Sequence, residues 1–139
     1  MIYPDNFEEK IGFDEIRQML SKRCICNLGM QLVEEMHFMT DFQGIETALD
    51  QTMEFVGILT EEKPFPDENY HDLHEALARI KVIGTWLDEA ELLNLWRSLE
   101  TISDIVEFLN KEENRGLYPN LTELASSVTL FPEITREIS

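Results

Sequence analysis

A chain of 139 residues is the length of one ordinary domain, and its hydrophobic content of 43% is enough for a core, which argues against a disordered chain. The formal net charge is −17, and residues 41–75 alone contain ten acids and one lysine. Because nucleic-acid binding depends on basic residues that neutralise phosphates, this charge argues against direct binding of DNA or RNA by these residues.

Two short helices are predicted near the N-terminus from apolar residues that recur every three or four positions. The first covers residues 13–23, with Asp14 as its candidate cap, and the second covers residues 27–36. Gly29 lies inside the second segment, where a glycine weakens a helix. We therefore expect a helix that either continues from the first or restarts near this glycine.

A longer helix is predicted over residues 40–62. Thr40 with Gln43 matches a capping box, so we place the start of the helix at Thr40. Two prolines within residues 63–70 end it, and helical spacing resumes over residues 71–80. The apolar stripe of the longer helix consists of Phe42, Ile45, Leu49, Met53 (or Thr52), Val56 and Leu59.

The longest helix is predicted over residues 88–111. Asp88 can cap its start, Glu91 can complete the capping box, and Leu87 and Leu92 occupy the positions of a hydrophobic staple. Its apolar residues are spaced alternately three and four apart, as in a helix that packs along another helix. We call this set the seam, and it consists of Leu92, Leu95, Leu99, Ile102, Val106 and Leu109.

The opposite side of the same helix is not polar. At about 100° per residue, Leu93 and Phe108 fall on the side away from the seam, and Trp96 and Ile105 flank it. A helix packed on one face only should be polar there. We therefore predict that Leu93 and Phe108 form an apolar interaction surface, either covered in a homodimer or exposed for docking.

Short helices over residues 120–128 and 132–139 follow the longest one. The best strand candidate, residues 81–86, stands alone, and one strand makes no sheet. The predicted fold class is therefore all-α, an irregular multi-helix bundle with one long helix near residues 88–111. We expect a single domain that spans residues 1–139.

A metal site is one chemical hypothesis that the histidines raise. His71 and His74 lie three residues apart and on a helix would share a face, with a third ligand from Glu68, Glu75 or His37. The alternative is a solvated helix start, which we favour because no metal-binding signature accompanies the pair.

No other pattern predicts an active site. Cys24 and Cys26 are too close for an unstrained disulfide and do not form a CxxC motif, so we expect two reduced thiols on a helix. The sequence contains neither GxSxG nor GxxxxGK[ST], and its paired acids are sequence neighbours that diverge on a helix. We predict no catalytic and no cofactor-binding residue in this chain.

The same sequence predicts a cytoplasmic location without membrane contact. No stretch approaches the roughly 20 apolar residues of a membrane span. The N-terminal stretch MIYPDNFEEK has acids where a signal peptide needs a basic and then an apolar segment.

Four stretches, in order, resemble the N-terminal region of a bacterial family, the second branch of the MutS-like proteins. These stretches are residues 7–38, 48–59, 72–95 and 118–128. The resemblance rests on individual residues in the first three stretches and at the junction that follows residue 38. These residues are Phe13, Ile16, Leu28, Gly29, Met39, Thr40, Asp41, Leu49, Thr52, Glu54, Asp72, Leu73, Leu77, Arg79, Gly84, Leu87, Glu91 and Leu92.

This resemblance implies a helical core and lever region of a larger protein related to the DNA mismatch repair protein MutS. Family members carry an ATPase that uses ATP and Mg²⁺ and usually an endonuclease module called Smr. They are associated with branched or mismatched DNA, with suppression of recombination, and with ribosome quality control through rescue of collided ribosomes. Since these 139 residues contain neither a Walker loop nor a Smr motif, those activities would belong to the remaining domains of the chain.

Two functional interpretations follow from the sequence. In the first, the chain is a non-catalytic scaffold that links an ATPase outside these residues to a clamp on DNA or ribosomes. In the second, it is a free-standing acidic helical adaptor that binds a partner protein. A small metal-dependent enzyme that uses His71 and His74 is a third and weaker hypothesis.

Overall fold

A computed structural model describes residues 5–139 of the chain, and every regular element in that range is a helix. The α-helices, numbered in chain order, are α1 (Phe7–Lys10), α2 (Phe13–Ser21), α3 (Asn27–Glu35), α4 (Phe42–Thr60), α5 (His74–Arg79), α6 (Glu89–Asn110), α7 (Pro119–Ser126) and α8 (Pro132–Ile138). The predicted all-α fold is therefore confirmed. None of the helices in this range is long and apolar enough to cross a bilayer.

The contacts between residues divide the chain into two compact units, and the boundary in the sequence lies between Phe38 and Met39. The first unit contains α1, α2 and α3, and the second contains α4 to α8. The single domain expected over residues 1–139 stays a prediction.

The entry into α2 in the first unit differs from the sequence prediction. Gly12 is the N-cap, with a left-handed φ of 76°, and no side chain bonds to the first turn. The predicted Asp14 cap is therefore wrong, because the chain enters α2 through a glycine that adopts this backbone without strain. Cys24 and Cys26 form no disulfide, and they lie in the link between α2 and α3, so the expected helical position of these thiols is wrong.

Arg17 joins the helices of the first unit. Its Nη2 donates to Oε2 of Glu8 at 3.0 Å and to the carbonyl oxygen of Met36 at 2.7 Å, and its Nε donates to the carbonyl oxygen of Val33 at 3.3 Å. The guanidinium carbon also lies 5.0 Å from the centroid of the Phe13 ring. Because the last carbonyls of a helix have no intrahelical partner, Arg17 satisfies the end of α3 while it binds α1.

The long helix α4 opens the second unit and begins later than predicted. Asp41 caps it, and Oδ2 of Asp41 accepts the N–H of Gly44 at 2.8 Å. The predicted cap at Thr40 is therefore wrong, since Asp41 has the extended backbone of an N-cap and its carboxylate accepts an N–H of the first turn. The helix ends at Thr60, ahead of the prolines.

The segment after the proline loop is less helical than its spacing predicts. Helix α5 starts only at His74, because Oδ1 of Asp72 accepts the N–H of His74 at 3.1 Å and turns the chain there. Residues 81–86, the best strand candidate, form turns instead. Gly84 is left-handed with φ 89°, and Oγ1 of Thr85 donates to the carbonyl oxygen of Val82 at 2.7 Å.

The start of α6 was predictable in detail. Oδ1 of Asp88 accepts the N–H of Glu91 at 2.8 Å, and Oε2 of Glu91 accepts the N–H of Asp88 at 2.9 Å. Both halves of the predicted capping box are therefore present. A single 3₁₀ turn, Glu112–Asn114, follows α6, and α7 and α8 each begin with a proline, whose fixed φ suits a first helical position.

The core of the second unit is small. Its buried cluster consists of Ile58, Phe108, Leu109 and Tyr118, with Phe65, Ile105, Leu121 and Ala125 packed against it. Asn114 is also buried, where its Nδ2 donates to the carbonyl oxygen of Phe108 at 2.8 Å and its Oδ1 accepts from Nζ of Lys63 at 3.1 Å. This asparagine therefore joins the loop after α4 to the end of α6.

Candidate functional site

The residues predicted as the seam lie on the side of α6 that faces α7 and α8. Leu99 and Ile102 line a cavity closed by the residues before and within α8, and Val106 and Leu109 line a groove beside α7. Of the seam residues, Leu109 is buried, Leu95, Leu99 and Val106 are half-buried, and Leu92 and Ile102 are exposed. The α6 seam thus retains apolar surface in contact with solvent.

The two residues predicted as an interaction surface occupy different environments. Leu93 is 41% exposed, whereas Phe108 is only 4% exposed. Phe108 therefore does not belong to an exposed surface, which corrects the sequence expectation. The physical reason is that Phe65 and Tyr118, from segments outside any long helix, cover the side of α6 that a helical projection leaves open.

Four aromatic side chains form a row that fixes this core. The Phe55 and Phe65 rings meet edge to face at a centroid distance of 5.1 Å, and Phe65 meets Phe108 in the same way at 5.4 Å. The Tyr118 ring stacks beside Phe108 at 6.3 Å, and Nζ of Lys63 lies 5.4 Å from the Tyr118 centroid. Edge-to-face pairs are favourable beyond their buried area, so the row orients the loop after α4 and the segment before α7.

Beside this row lies an apolar groove of about 310 Å³ between α4, α6 and α7. Its walls contain no charged side chain, and they consist of Phe55, Phe65, Ile102, Ile105, Val106, Leu109, Leu121, Leu124, Ala125 and Val128. Such a lining suits apolar side chains and offers no group for proton transfer. The groove is therefore suited to packing and not to catalysis.

Glu54 holds the wall of this groove together by binding the start of α7. Its Oε1 accepts the backbone N–H of Asn120 at 3.0 Å and the side-chain Nδ2 of the same residue at 2.7 Å, and its Oε2 accepts the N–H of Leu121 at 2.8 Å. No residue next to α7 in sequence caps it. Glu54 therefore replaces a local cap from a position 66 residues away, and its negative charge suits a helix N-terminus.

The environment of Glu54 changes its acidity. Partial burial raises the pKa of this carboxyl, but the hydrogen bonds from Asn120 and Leu121 favour the charged form and together lower the pKa below its ordinary value of 4.5. A carboxyl with a lowered folded-state pKa stabilises the folded chain above the unfolded pKa. That contribution is lost as the pH falls through the folded pKa.

We expect Glu54→Gln to lower the free energy of unfolding by about 1–2 kcal/mol at pH 7, as for loss of a helix cap. The difference between the two proteins should narrow as the pH falls below 4.5, the ordinary pKa of the carboxyl, and should close below the lower pKa that Glu54 has in the folded chain. Urea denaturation between pH 3 and pH 8 measures it. Glu46→Gln, an exposed position on the same helix, is the control and should change stability by less than about 0.5 kcal/mol. A pH-independent difference would contradict the assigned role.

The histidines of the metal hypothesis do not share a helical face. His74 opens α5, but His71 precedes that helix, so the geometry on which the hypothesis rested is wrong. Nδ1 of His74 lies 3.0 Å from Oδ1 of Asp72, and this contact belongs to the turn that starts the helix. In the part of the chain that the structure describes, no group of three or more His, Cys, Asp or Glu side chains is placed to hold a metal ion.

Glu54 and Asn114 are the polar residues of this region whose structural roles the sequence did not predict. Glu54 lies on the opposite side of α4 from the predicted stripe, and a carboxylate there looks like an ordinary polar position. Asn114 lies between the helices predicted over residues 88–111 and 120–128. Their burial and their partners depend on contacts distant in sequence, and no local pattern predicts these contacts.

The chain is similar to part of several bacterial proteins named endonuclease MutS2. It is 30% identical over 128 residues to the protein of Lacticaseibacillus casei, 28% identical over 128 residues to that of Alkaliphilus oremlandii, and 24% identical over 129 residues to that of Clostridioides difficile. Each match covers 92% of this chain but 16% of the relative. The chain therefore spans about a sixth of the length of these relatives, and the matches support a MutS2-related region.

No protein-family model matches the chain, and no solved structure matches it significantly.

Proposed function

We propose that the chain is the non-catalytic helical scaffold region of a MutS2-type protein, near the N-terminus of that protein. The single observation that best supports a MutS2-related region is the match to relatives over 92% of this chain and 16% of theirs. A region of that size, apolar on several surfaces, suits a part that packs against other domains. Residues 1–139 would then act as one core and lever-like region.

In this proposal the scaffold connects an ATPase elsewhere in the protein to a clamp on DNA or on ribosomes. Its partners are the other domains of that protein, and a homodimer is a further arrangement that the proposal allows. Direct contact with nucleic acid is not part of the role, because a net charge of −17 repels phosphates. A cytoplasmic location without membrane contact belongs to the same proposal, since bacterial DNA and ribosomes are there.

The residues of this chain do not fit a site for ATP and Mg²⁺. Nucleotide phosphates need a glycine-rich loop followed by lysine and a hydroxyl side chain, and the sequence contains no GxxxxGK[ST]. The groove beside α7 is apolar and offers no ligand for a hard cation. ATP and Mg²⁺ would therefore bind other domains, and the same holds for any endonuclease chemistry.

A chimeric protein tests the scaffold role. The matched 128 residues of the Lacticaseibacillus casei relative are replaced by this chain, and a second variant lacks the region altogether. ATP hydrolysis is measured with and without branched DNA. We expect the deletion variant to lose the response of hydrolysis to DNA and the chimera to retain it.

The hydrolysis rate without DNA shows whether the remaining domains are folded in each variant. The isolated 139-residue chain is expected neither to hydrolyse ATP nor to cleave DNA. A chimera that behaves like the deletion variant, with its DNA-free hydrolysis intact, would contradict the scaffold role.

A free-standing acidic adaptor is the alternative function. The observation that favours it is the concentration of acidic residues in residues 41–75, the segment that contains α4 and its exposed apolar face. The reading frame of the gene separates the two roles: continuation into a sequence with a Walker loop supports the scaffold, and an early stop supports the adaptor.

A further inference from the structure

The outer face of α4 is apolar and largely exposed. Phe42, Leu49, Met53 and Val56 lie within an arc of about 60° on this helix, calculated at 100° per residue. Their exposed fractions are 75%, 61%, 66% and 46%. The opposite side of α4 supplies Glu54 and Ile58 to the interior of the second unit, so the helix is already anchored without these four residues.

The charged residues next to this face lie on one side of it, and all of them are acidic. Glu46 and Asp50 are exposed and lie next to the apolar arc, and α4 contains no Lys, Arg or His between Phe42 and Thr60. Lys63, the one lysine of residues 41–75, is directed instead toward Asn114 and Tyr118. A matching surface should therefore carry positive charge at its rim.

Gly57 is an independent sign of close approach. It lies one turn after Met53, and a Cβ added to it would meet nothing within 4 Å. Its φ is not left-handed, so neither the backbone nor a neighbour in the chain requires glycine there. Since glycine weakens a helix interior, its presence is accounted for if another backbone packs closely against this turn.

We propose that this face of α4, defined by Phe42, Leu49, Met53, Val56 and Gly57, is the docking site for an amphipathic helix of a partner, with an apolar stripe bordered by Lys or Arg. A helix fits because the exposed residues follow helical spacing over four turns. A second copy of this chain fits poorly, because its α4 contains no Lys or Arg to pair with Glu46 and Asp50. The inference rests on the interaction role proposed above and names the chemistry of the partner.

A designed peptide tests the site on the intact 139-residue chain. The probe is a 20-residue helical peptide with a leucine stripe bordered by lysines, and its matched control has glutamates in place of the lysines. Binding is measured by fluorescence anisotropy of the labelled peptide. We expect the lysine peptide to bind, with an affinity that falls as salt rises, and the glutamate peptide not to bind.

Variants of the chain locate the site. Met53→Glu should weaken binding by about tenfold or more, as for loss of an apolar anchor, and should leave helicity unchanged because Met53 is exposed. Ile83→Glu makes the same charge change on the exposed turn after α5 and should bind as the parent does. Gly57→Ala should raise the melting temperature of the chain and yet weaken binding.

Three outcomes would overturn the proposal. These are equal binding of both peptides, equal losses from Met53→Glu and Ile83→Glu, or self-association of the parent that Met53→Glu removes. If Gly57→Ala gained stability without losing binding, the argument that a partner backbone packs closely against Gly57 would be wrong. Because this assay uses only the isolated chain, its failure would leave the chimera experiment unaffected, and the two proposals can fail separately.

Discussion

Replacement of Phe108 by alanine is expected to lower the free energy of unfolding by about 3–5 kcal/mol, the range for removal of a buried phenylalanine. The side chain is 4% exposed and contacts the Phe65 and Tyr118 rings. Its removal leaves a cavity between the loop after α4 and the segment before α7, which the remaining rings fill only in part. Urea denaturation followed by far-UV circular dichroism at 222 nm measures the change.

Leu93→Ala is the matched control, because Leu93 lies on the same helix and is 41% exposed. It should cost less than about 1 kcal/mol, since little area leaves water when this side chain packs. Similar losses in the two variants would mean that Phe108 is not part of the core and would restore the interaction surface predicted from the sequence.

A second large effect is expected at Ile58, which is fully buried at the centre of the cluster. Ile58→Ala should lower the free energy of unfolding by about 2–5 kcal/mol, from lost apolar burial together with the cavity that remains. Thermal and urea unfolding should show one transition at lower temperature and lower urea concentration, because α4 and α6 both contribute to this cluster and should unfold together.

The neighbouring residue provides the control for this experiment. Leu59 is 61% exposed, and Leu59→Ala should change the stability by less than about 0.5 kcal/mol, as for other surface positions. If Leu59→Ala were as damaging as Ile58→Ala, α4 would be rotated about its axis relative to the structure, and the docking face assigned to it would be wrong.

The helices themselves could be predicted because their signals are local. The capping box of Asp88 and Glu91 lies within one turn, and it placed the start of α6 correctly. The errors at Asp14 and Thr40 are of the same kind: a neighbouring residue, Gly12 or Asp41, made the cap instead. In both places several neighbouring residues could have been the N-cap, and the backbone conformation determined which of them was.

The core could not be predicted, because it depends on residues from loops. Phe65 and Tyr118 lie in segments rich in proline and polar residues, where no period shows which face they will cover. Without them, Phe108 projects from the helix away from the seam and looks like surface. Periodicity describes one helix at a time, and it does not show which non-helical segments return to pack on that helix.

The candidate docking face of α4 was partly visible in the sequence, since its apolar residues were recognised as one stripe. The sequence did not show which side of α4 would face the interior. Glu54 and Ile58 hold that other side toward the interior through contacts with residues 50 or more positions away. The stripe that resembles a core pattern is therefore the exposed one.

None of the described residues of the first unit, 5–38, is buried. Its folded state therefore gains little free energy from apolar burial within the unit. Its melting temperature will depend on the ligands present in the solution. Any molecule that binds the folded unit and not the unfolded chain adds RT ln(1 + [L]/Kd), about 2.7 kcal/mol at a hundredfold excess over Kd. Stability measured for this unit in dilute buffer will thus be lower than its stability when such a molecule is bound.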